Sequence, residues 1–409
     1  MSDDDEEVDL DSGGDQDEEE HDRVEAWYEP AGRRATGAAA LWGGAVKASS
    51  ERAALVGLHL IPYLTPTRLE RLTRRLGSVG AVWEASERSL GATLGDAGAA
   101  RRIAAARSEE LLERELALAS AAGIEIATVL DASYPEALRE LPAPPSVLYI
   151  RGNRDALGVQ AVAVVGTRRA TGYGRRIARR VAADLAAAGI SVVSGLAMGI
   201  DAAAHRGALA TGGTTVAIIG CGLLHRLPSW QSELADAVAA SGALVSQFPL
   251  EMSPTRWSFP RRNRVLAGLS RAVIVVEAPE RSGALITADW ALRQGKDVYA
   301  VPGNLTSITS VGCNRLIKDG AGLLEGVADV LLGLGMKRVV PCEHAEDALA
   351  RLGPRERLVY DRIGLDPVHI DAIIAEGDLS PAEAAHILLV LEMADLVSEL
   401  DGKRFVRAG

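Results

Sequence analysis

Ala161-Val162-Ala163-Val164-Val165-Gly166-Thr167-Arg168-Arg169, Ile190-Ser191-Val192-Val193-Ser194-Gly195-Leu196-Ala197-Met198-Gly199-Ile200-Asp201 and Thr215-Val216-Ala217-Ile218-Ile219-Gly220-Cys221-Gly222 repeat one pattern, a short apolar run that ends in a glycine-bearing turn. Apolar runs of this length with helical stretches between them read as parallel strands buried on both faces. The expected fold class is α/β, with a doubly wound, mostly parallel sheet. Further strands are expected at 147–150, 244–246, 272–277 and 298–301, and a short one near 124–130. Ligands of such sheets bind at the carboxyl ends of the strands, where these turns fall.

The turns carry anion chemistry. Gly166 lets the chain reverse without a Cβ clash, backbone N–H groups of the following helix can face an anion, and Arg168 supplies a fork for phosphate. A tight turn with a surface arginine is the plainer reading. The next glycines are Gly172 and Gly174, so this is not G-x-G-x-x-G, and the second strand ends in Ser194-Gly195 and not in an acidic ribose partner. NAD binding is therefore not expected. The absence of G-x-x-x-x-G-K-[ST] removes a Walker-type ATPase.

Asp201 and His205 stand one helical turn apart, with Arg206 next to them. They are either an acid–base or metal pair, or an aspartate that stabilises the helix start and fixes the histidine tautomer. In Arg256-Trp257-Ser258-Phe259-Pro260-Arg261-Arg262-Asn263-Arg264 four arginines interleave with two aromatics. Guanidinium forks beside rings are what a single-strand nucleic-acid groove needs, whereas a solvated basic helix start is the alternative. Ser282-Gly283 opens another helix after a strand, and Asn314 and Lys318 add polar groups near the same sheet edge. The candidate binding set is Gly166, Thr167, Arg168, Ser194, Gly195, His205, Arg206, Phe259, Arg261, Arg262, Asn263, Arg264, Ser282, Gly283, Asn314 and Lys318.

A chain of 409 residues suggests two or three domains. Its formal charge of −11 is local: of 55 acidic residues thirteen fall within 1–22, which hold no Lys or Arg, leaving 42 acidic against 44 basic residues in the rest. Such a block is expected to be disordered. It reads as a solubilising arm, or as a DNA-mimicking arm that competes for the basic groove of this chain or of a partner. No run approaches the ~18–20 apolar residues of a membrane span, and the acidic start is unlike a signal peptide. Cys221, Cys313 and Cys342 are odd in number and lack C-x-x-C spacing, which argues against a disulfide framework and a zinc site. A soluble, cytoplasmic protein without metal or cofactor is expected.

Apolar spacing predicts a helix from 66 to 76, broken at Gly77, and one long amphipathic helix from 99 to 121. Near the other end, helices are expected at 355–363, 368–376 and 381–391, the last started by Ser380-Pro381-Ala382-Glu383. Strands at 396–400 and 403–406 flank Asp401-Gly402, read as a type I′ turn. Three helices and a hairpin make a winged-helix module. Its 381–391 helix has no Arg or Lys, which favours protein docking over major-groove reading. The expected domains are an acidic tail and linker (1–45), a helical domain (46–128), a DNA-binding domain (129–335), a linker (336–350) and a winged helix (351–409).

At several of these residues the chain resembles the DNA-processing protein A (DprA, or Smf) family of bacterial recombination mediators. The resemblance rests on Gly166-Thr167-Arg168, Ser194-Gly195-Leu196-Ala197-x-Gly199-Ile200-Asp201-x-x-Ala204-His205, Phe259-Pro260-x-Arg262-Asn263-Arg264-x-x-Ala267-Gly268-Leu269 and Glu277-Ala278-x-x-x-Ser282-Gly283-Ala284-Leu285-Ile286-Thr287. Val301-Pro302-Gly303 and Gly312-Cys313-Asn314-x-Leu316-Ile317 extend it. It implies an extended Rossmann-like sheet between a sterile-alpha-motif-like helical domain and a winged helix. It also implies non-catalytic binding of single-stranded DNA, homodimerisation through the Rossmann-like body, and loading of RecA recombinase, which protects incoming DNA during natural transformation. Arg168, Arg262, Asn263 and Arg264 would then touch DNA, with His205 and Arg206 near the pocket. Two features depart from the family pattern: Leu60-Ile61-Pro62-Tyr63-Leu64-Thr65-Pro66 lacks the Gly-x-Gly turn of a helix-hairpin-helix, and the acidic tail is additional. The rival expectation is a nucleotide phosphoribohydrolase-type enzyme, for which Glu277, Asp201 or Asp289 would be the acting carboxylate. Such enzymes resemble Pro-Gly-Gly-x-Gly-Thr-x-x-Glu, where this chain has Arg281-Ser282-Gly283-Ala284-Leu285-Ile286-Thr287-Ala288-Asp289.

Overall fold

Polar caps cut the first segment into six short helices: α1 (Ala48–His59), α2 (Pro66–Leu76), α3 (Val79–Glu84), α4 (Glu87–Leu94), α5 (Ala97–Ala106) and α6 (Glu109–Ala121). Thr65, Ser78, Ser86, Asp96 and Ser108 each accept from the backbone N–H three residues on. The single helix expected over 99–121 is therefore two. Ser108 caps a new start at Leu111 N, while Arg107 turns away to bond the carbonyl oxygens of Trp83 and Ala85. A local side-chain cap overrides a periodicity that runs through it. These contacts belong to a computed structural model, which describes residues 48–62, 64–336, 349, 352–364, 367–377, 379–394, 396–400 and 402–407. The acidic segment, Cys342 and most of the expected 336–350 linker lie outside the described residues.

A nine-stranded sheet follows, built from β1 (Glu125–Thr128), β2 (Val147–Gly152), β3 (Ala161–Val165), β4 (Ser191–Ser194), β5 (Thr215–Ile218), β6 (Ala243–Ser246), β7 (Ala272–Val275), β8 (Asp297–Ala300) and β9 (Gly322–Leu323). Between the strands lie α7 (Glu136–Arg139), α8 (Gly172–Ala187), α9 (Ile200–Ala210), α10 (Ser229–Ser241), α11 (Ser258–Leu269), α12 (Gly283–Arg293) and α13 (Val311–Lys318), with α14 (Val327–Gly333) after β9. The strand order is β1-β2-β6-β5-β4-β3-β7-β8-β9. Pairing is parallel from β6 across to β9, and only β1–β2 and β2–β6 are antiparallel. Every residue of β3 to β7 is buried, as helices on both faces require. β1 falls on the helical side of the expected 128/129 boundary yet joins the sheet as its edge strand.

One face of the sheet shares its core with the N-terminal helices, whose Leu55, Leu72, Leu90 and Ile103 are continuous with Tyr149, Val216, Leu244 and Val265. The opposite face is closed by α8 and α9 through Ala178, Leu185, Ala204 and Ala208 over Val162, Val164, Val192 and Ile274. The chain visits β3, β4, β5 and β6 in one direction and then returns past β3 to β7. The order thus reverses beside β3, which puts a crevice at the carboxyl ends of β3 and β7.

The last segment comprises α15 (Pro354–Arg362), β10 (Val368–His369), α16 (Ile370–Gly377), α17 (Pro381–Met393), β11 (Val397–Leu400) and β12 (Arg404–Arg407). It has its own core of Val359, Ile373, Ile387, Leu391 and Phe405. The expected start of the middle helix is instead a strand: residues 368–369 pair with β12, and the helix begins at Ile370. The hairpin is not a two-residue type I′ turn. Leu400 pairs with Arg404, which leaves three residues in the loop, and both Gly402 and Lys403 have positive φ. Ser380 and Glu383 cap one another as expected, Glu383 N on Ser380 Oγ at 3.2 Å and Ser380 N on Glu383 Oε2 at 3.0 Å.

Candidate nucleic-acid interface

The crevice is an open cavity of about 370 Å3. Residues 166–169 after β3, Ala197 and Asp201 after β4, and Pro279, Arg281, Ser282 and Gly283 after β7 form three sides. Phe259, Arg262 and Asn263 of α11 form the fourth. Glycines let the loops stack this closely. A Cβ on Gly166 would sit 2.5 Å from Ile200 Cγ1, and one on Gly199, whose φ is +83°, would sit 2.3 Å from the Thr167 carbonyl oxygen. Thr167 N donates to the Glu277 carbonyl at 2.7 Å. The Glu277 carboxylate accepts from Thr171 N at 2.9 Å and Thr171 Oγ1 at 2.6 Å, and Thr171 in turn caps α8 through Gly174 N. Both Glu277 oxygens are thus spent on holding the Gly-Thr-Arg turn.

From this clamped turn Arg168 and Arg169 reach the surface, as does Arg281 across the opening. The Arg168 guanidinium carbon lies 4.9 Å from the centroid of Phe259, so a cation and a ring share the rim. The floor differs in kind. Arg262 is 5% exposed, donates from Nη1 to the Ile218 carbonyl at 2.9 Å, and leaves its buried Nε without a hydrogen-bond partner among the described residues. Asp201 lies near it: burial holds the Asp201 carboxyl above its ordinary range, an effect that the Arg262 guanidinium only partly offsets. A Cβ on Gly195 would be 1.6 Å from Arg262 Nη1 and 2.7 Å from Asp201 Oδ2, so only glycine fits over this pair. Asn263 closes one side by donating from Nδ2 to the Gly283 carbonyl at 3.1 Å.

Of the sixteen candidates, Gly166, Thr167, Arg168, Phe259, Arg262, Asn263, Ser282 and Gly283 line the cavity. The other eight do not, although Gly195 adjoins the floor. Ser194 is buried and donates to the Val164 carbonyl at 2.7 Å. Arg264 turns to the carbonyl oxygens of Pro142 and Ala143 and to the Trp290 ring. Arg261 lies over Phe248. Asn314 brackets Gly303, with Oδ1 accepting from its N at 3.1 Å and Nδ2 donating to its O at 3.0 Å. Lys318 and Arg206 are exposed on α13 and α9, away from the opening. Sequence reading left out Arg169, Arg281 and Thr287. The same signal that marked Arg168, a basic residue in the turn after a strand, marks Arg281.

His205 requires the clearest correction. It is fully buried, and its Nδ1 lies 2.8 Å from Thr215 Oγ1, whose own hydrogen goes to the Val192 carbonyl. The Thr215 oxygen must then accept, so Nδ1 carries the proton. Thr215, and not Asp201, fixes the tautomer. One helical turn advances about 5.4 Å along the axis, which takes α9 from the carboxyl ends of the strands at Asp201 to the start of β5 at His205. Burial lowers the His205 pKa from 6.5 to about 3. Because the folded state keeps this imidazole neutral, stability is lost as pH falls from 6.5 towards 3, by about 2 kcal/mol at pH 5 relative to pH 7.5. His59, lowered to about 4, acts in the same direction. Denaturant midpoints measured across this range will fall with acid, and less steeply in His205→Asn, which keeps a donor towards Thr215.

Residues 125–335 match the family model of DNA recombination-mediator protein A, and residues 343–403 match that of the DprA winged helix domain. The chain is 41% identical over 271 residues to the putative DNA processing protein DprA of Mycobacterium tuberculosis, covering 65% of this chain and 70% of that protein. It is 34% identical over 312 residues to Protein Smf of Synechocystis, covering 68% and 78%. Among solved structures, DNA processing protein A of Streptococcus pneumoniae is similar at a TM-score of 0.61 and 33% identity, covering 69% of this chain and 97% of that one. With a family model spanning the whole sheet and a second on the winged helix, the chain belongs to the DNA recombination-mediator protein A family.

Proposed function

We propose that this chain binds single-stranded DNA without chemical turnover and passes it to the RecA recombinase, acting as a cytoplasmic homodimer joined through the sheet domain and serving incoming DNA in natural transformation. The observation that carries the binding step is the rim: exposed Arg168, Arg169 and Arg281 around a cavity whose edge is the Phe259 ring. Forks for phosphate beside a stacking surface suit an unpaired strand, whose bases are free to leave the axis, better than a duplex. The phosphoribohydrolase reading needs a carboxylate free to act at a sugar. Glu277 is committed to Thr171, Asp289 pairs with Arg293 at 2.7 Å, and Asp201 is buried against Arg262.

Fluorescence anisotropy with a labelled oligothymidine and its duplex, each at two salt concentrations, tests the reading. Preference for the single strand, weakened by salt, is the expected result. Equal affinity for both forms, or none for either, overturns it.

The winged helix contributes little to that affinity. Its α17 presents Leu389 and Met393 to solvent, 55% and 80% exposed, and carries no Arg or Lys. Removing 351–409 will leave the oligothymidine affinity within about threefold, because the phosphate term scales with the arginines contacted. A hundredfold loss would refute this.

A further inference from the structure

The arginine surface does not stop at the cavity. α8 starts just beyond the Gly-Thr-Arg turn and carries Arg175, Arg176, Arg179 and Arg180 against a single aspartate, Asp184. Arg175, Arg179 and Arg180 are exposed and Arg176 is half-buried. Positions 175 and 179, and likewise 176 and 180, stand one turn apart, so like charges are stacked at the spacing that weakens a helix. Gly207 of α9 would place a Cβ 2.1 Å from the Arg179 carbonyl, so the two helices touch at backbone distance next to exposed Arg206 in the chain. Together with Arg168 and Arg169 in the turn before it, α8 brings the exposed arginines between 168 and 180 to five. A charge pattern kept at a cost to the helix points to a polyanionic partner.

The chain carries one polyanion of its own. Residues 1–22 hold thirteen Asp and Glu with no Lys or Arg. Twenty-two residues extend to about 70 Å, against about 24 Å for a helix the length of α8. The 25 residues from 23 to 47 join this segment to α1 and reach at most about 90 Å. α1 packs on β1 and β2, whereas α8 covers the opposite face near β3 and β4. From β1 to β3 is five strand spacings, about 24 Å, with about 10 Å more for each layer crossed, so the tether is long enough.

We infer that residues 1–22 dock on the arginine face of α8 and compete with DNA for it. The contact itself rests on charge and reach. Only its consequence rests on the single-strand reading of the neighbouring cavity. A tethered segment at an effective concentration of about 1 mM that binds with Kd of about 0.1 mM lowers apparent DNA affinity by about tenfold. The docking is driven by charge and is screened by salt, so the brake weakens as ionic strength rises.

The test uses the full-length chain and a full-length variant in which the thirteen acidic residues are replaced by Asn and Gln. At low salt the neutralised variant is expected to bind oligothymidine about tenfold more tightly than the original, with the gap closing at high salt. Separately, a labelled peptide of residues 1–22 is titrated onto the neutralised variant without DNA. It is expected to bind, and to lose about tenfold or more when Arg175, Arg179 and Arg180 are changed to alanine. The peptide arm reads the docking even if no variant binds DNA, so failure of the DNA reading and failure of this proposal are told apart. A peptide that does not bind, that binds the alanine variant equally well, or a neutralised arm that leaves DNA affinity unchanged where DNA does bind, overturns it.

Discussion

Changing Arg168, Arg169 and Arg281 together to alanine will weaken oligothymidine binding by about a thousandfold at low salt, because each exposed guanidinium lost from a phosphate contact costs about tenfold. The three come from two different loops, after β3 and after β7, and meet at one opening because the strand order reverses there. The slope of log affinity against log salt should fall by about 2, since single strands release about 0.7 counterions per phosphate neutralised. Arg168→Ala is expected to be the largest of the three single losses. That substitution removes a charge and also the cation that holds the Phe259 ring from 4.9 Å. Phe259→Leu separates the two effects: it removes stacking, worth about 1–3 kcal/mol per base, and should leave the salt slope unchanged. All three arginines are exposed, so melting temperatures should hardly move. An unchanged salt slope in the triple variant would mean that phosphates are gripped elsewhere.

The strands and their order of appearance were legible because burial on both faces demands uninterrupted apolar runs, and 161–165 or 272–275 admit no other reading. The turns were legible for a related reason: a strand that ends in glycine with an arginine two residues away reads as a tight turn that sets a cation at the carboxyl edge of the sheet. Depth was not legible. Arg262 and Arg264 look equivalent in sequence, yet residues two apart on α11 point to different sides, and one enters the floor while the other reaches the 142–143 carbonyls. Asp201 and His205 share a helical face, but that face is longer than the site. The break at Arg107-Ser108 was hidden because a serine cap inside an apolar pattern competes with the helix only when its backbone partner is in place.

The second large effect concerns the floor and separates two roles that arginine can play. Asp201→Asn is expected to cost about 3–5 kcal/mol of stability, because it leaves the Arg262 guanidinium buried with its charge uncompensated. Arg262→Met strands Asp201 in the same way and should cost a similar amount. The double variant should recover most of either loss, since replacing two buried, electrostatically coupled charges by groups that carry no charge is often close to neutral. Recovery is the informative result: two independent single contributions would add instead. DNA binding then discriminates. If Arg262 acts by shaping the floor under Gly195, Arg262→Met lowers affinity with an unchanged salt slope, and the double variant regains part of that affinity along with its stability. If Arg262 grips a phosphate directly, the slope falls by about 0.7 and the second substitution restores nothing. Its bond to the Ile218 carbonyl and its 5% exposure favour the first outcome. In that case the grip on the strand belongs to the rim alone, and the Asp201–Arg262 pair fixes the depth at which the rim arginines and the Phe259 ring meet it.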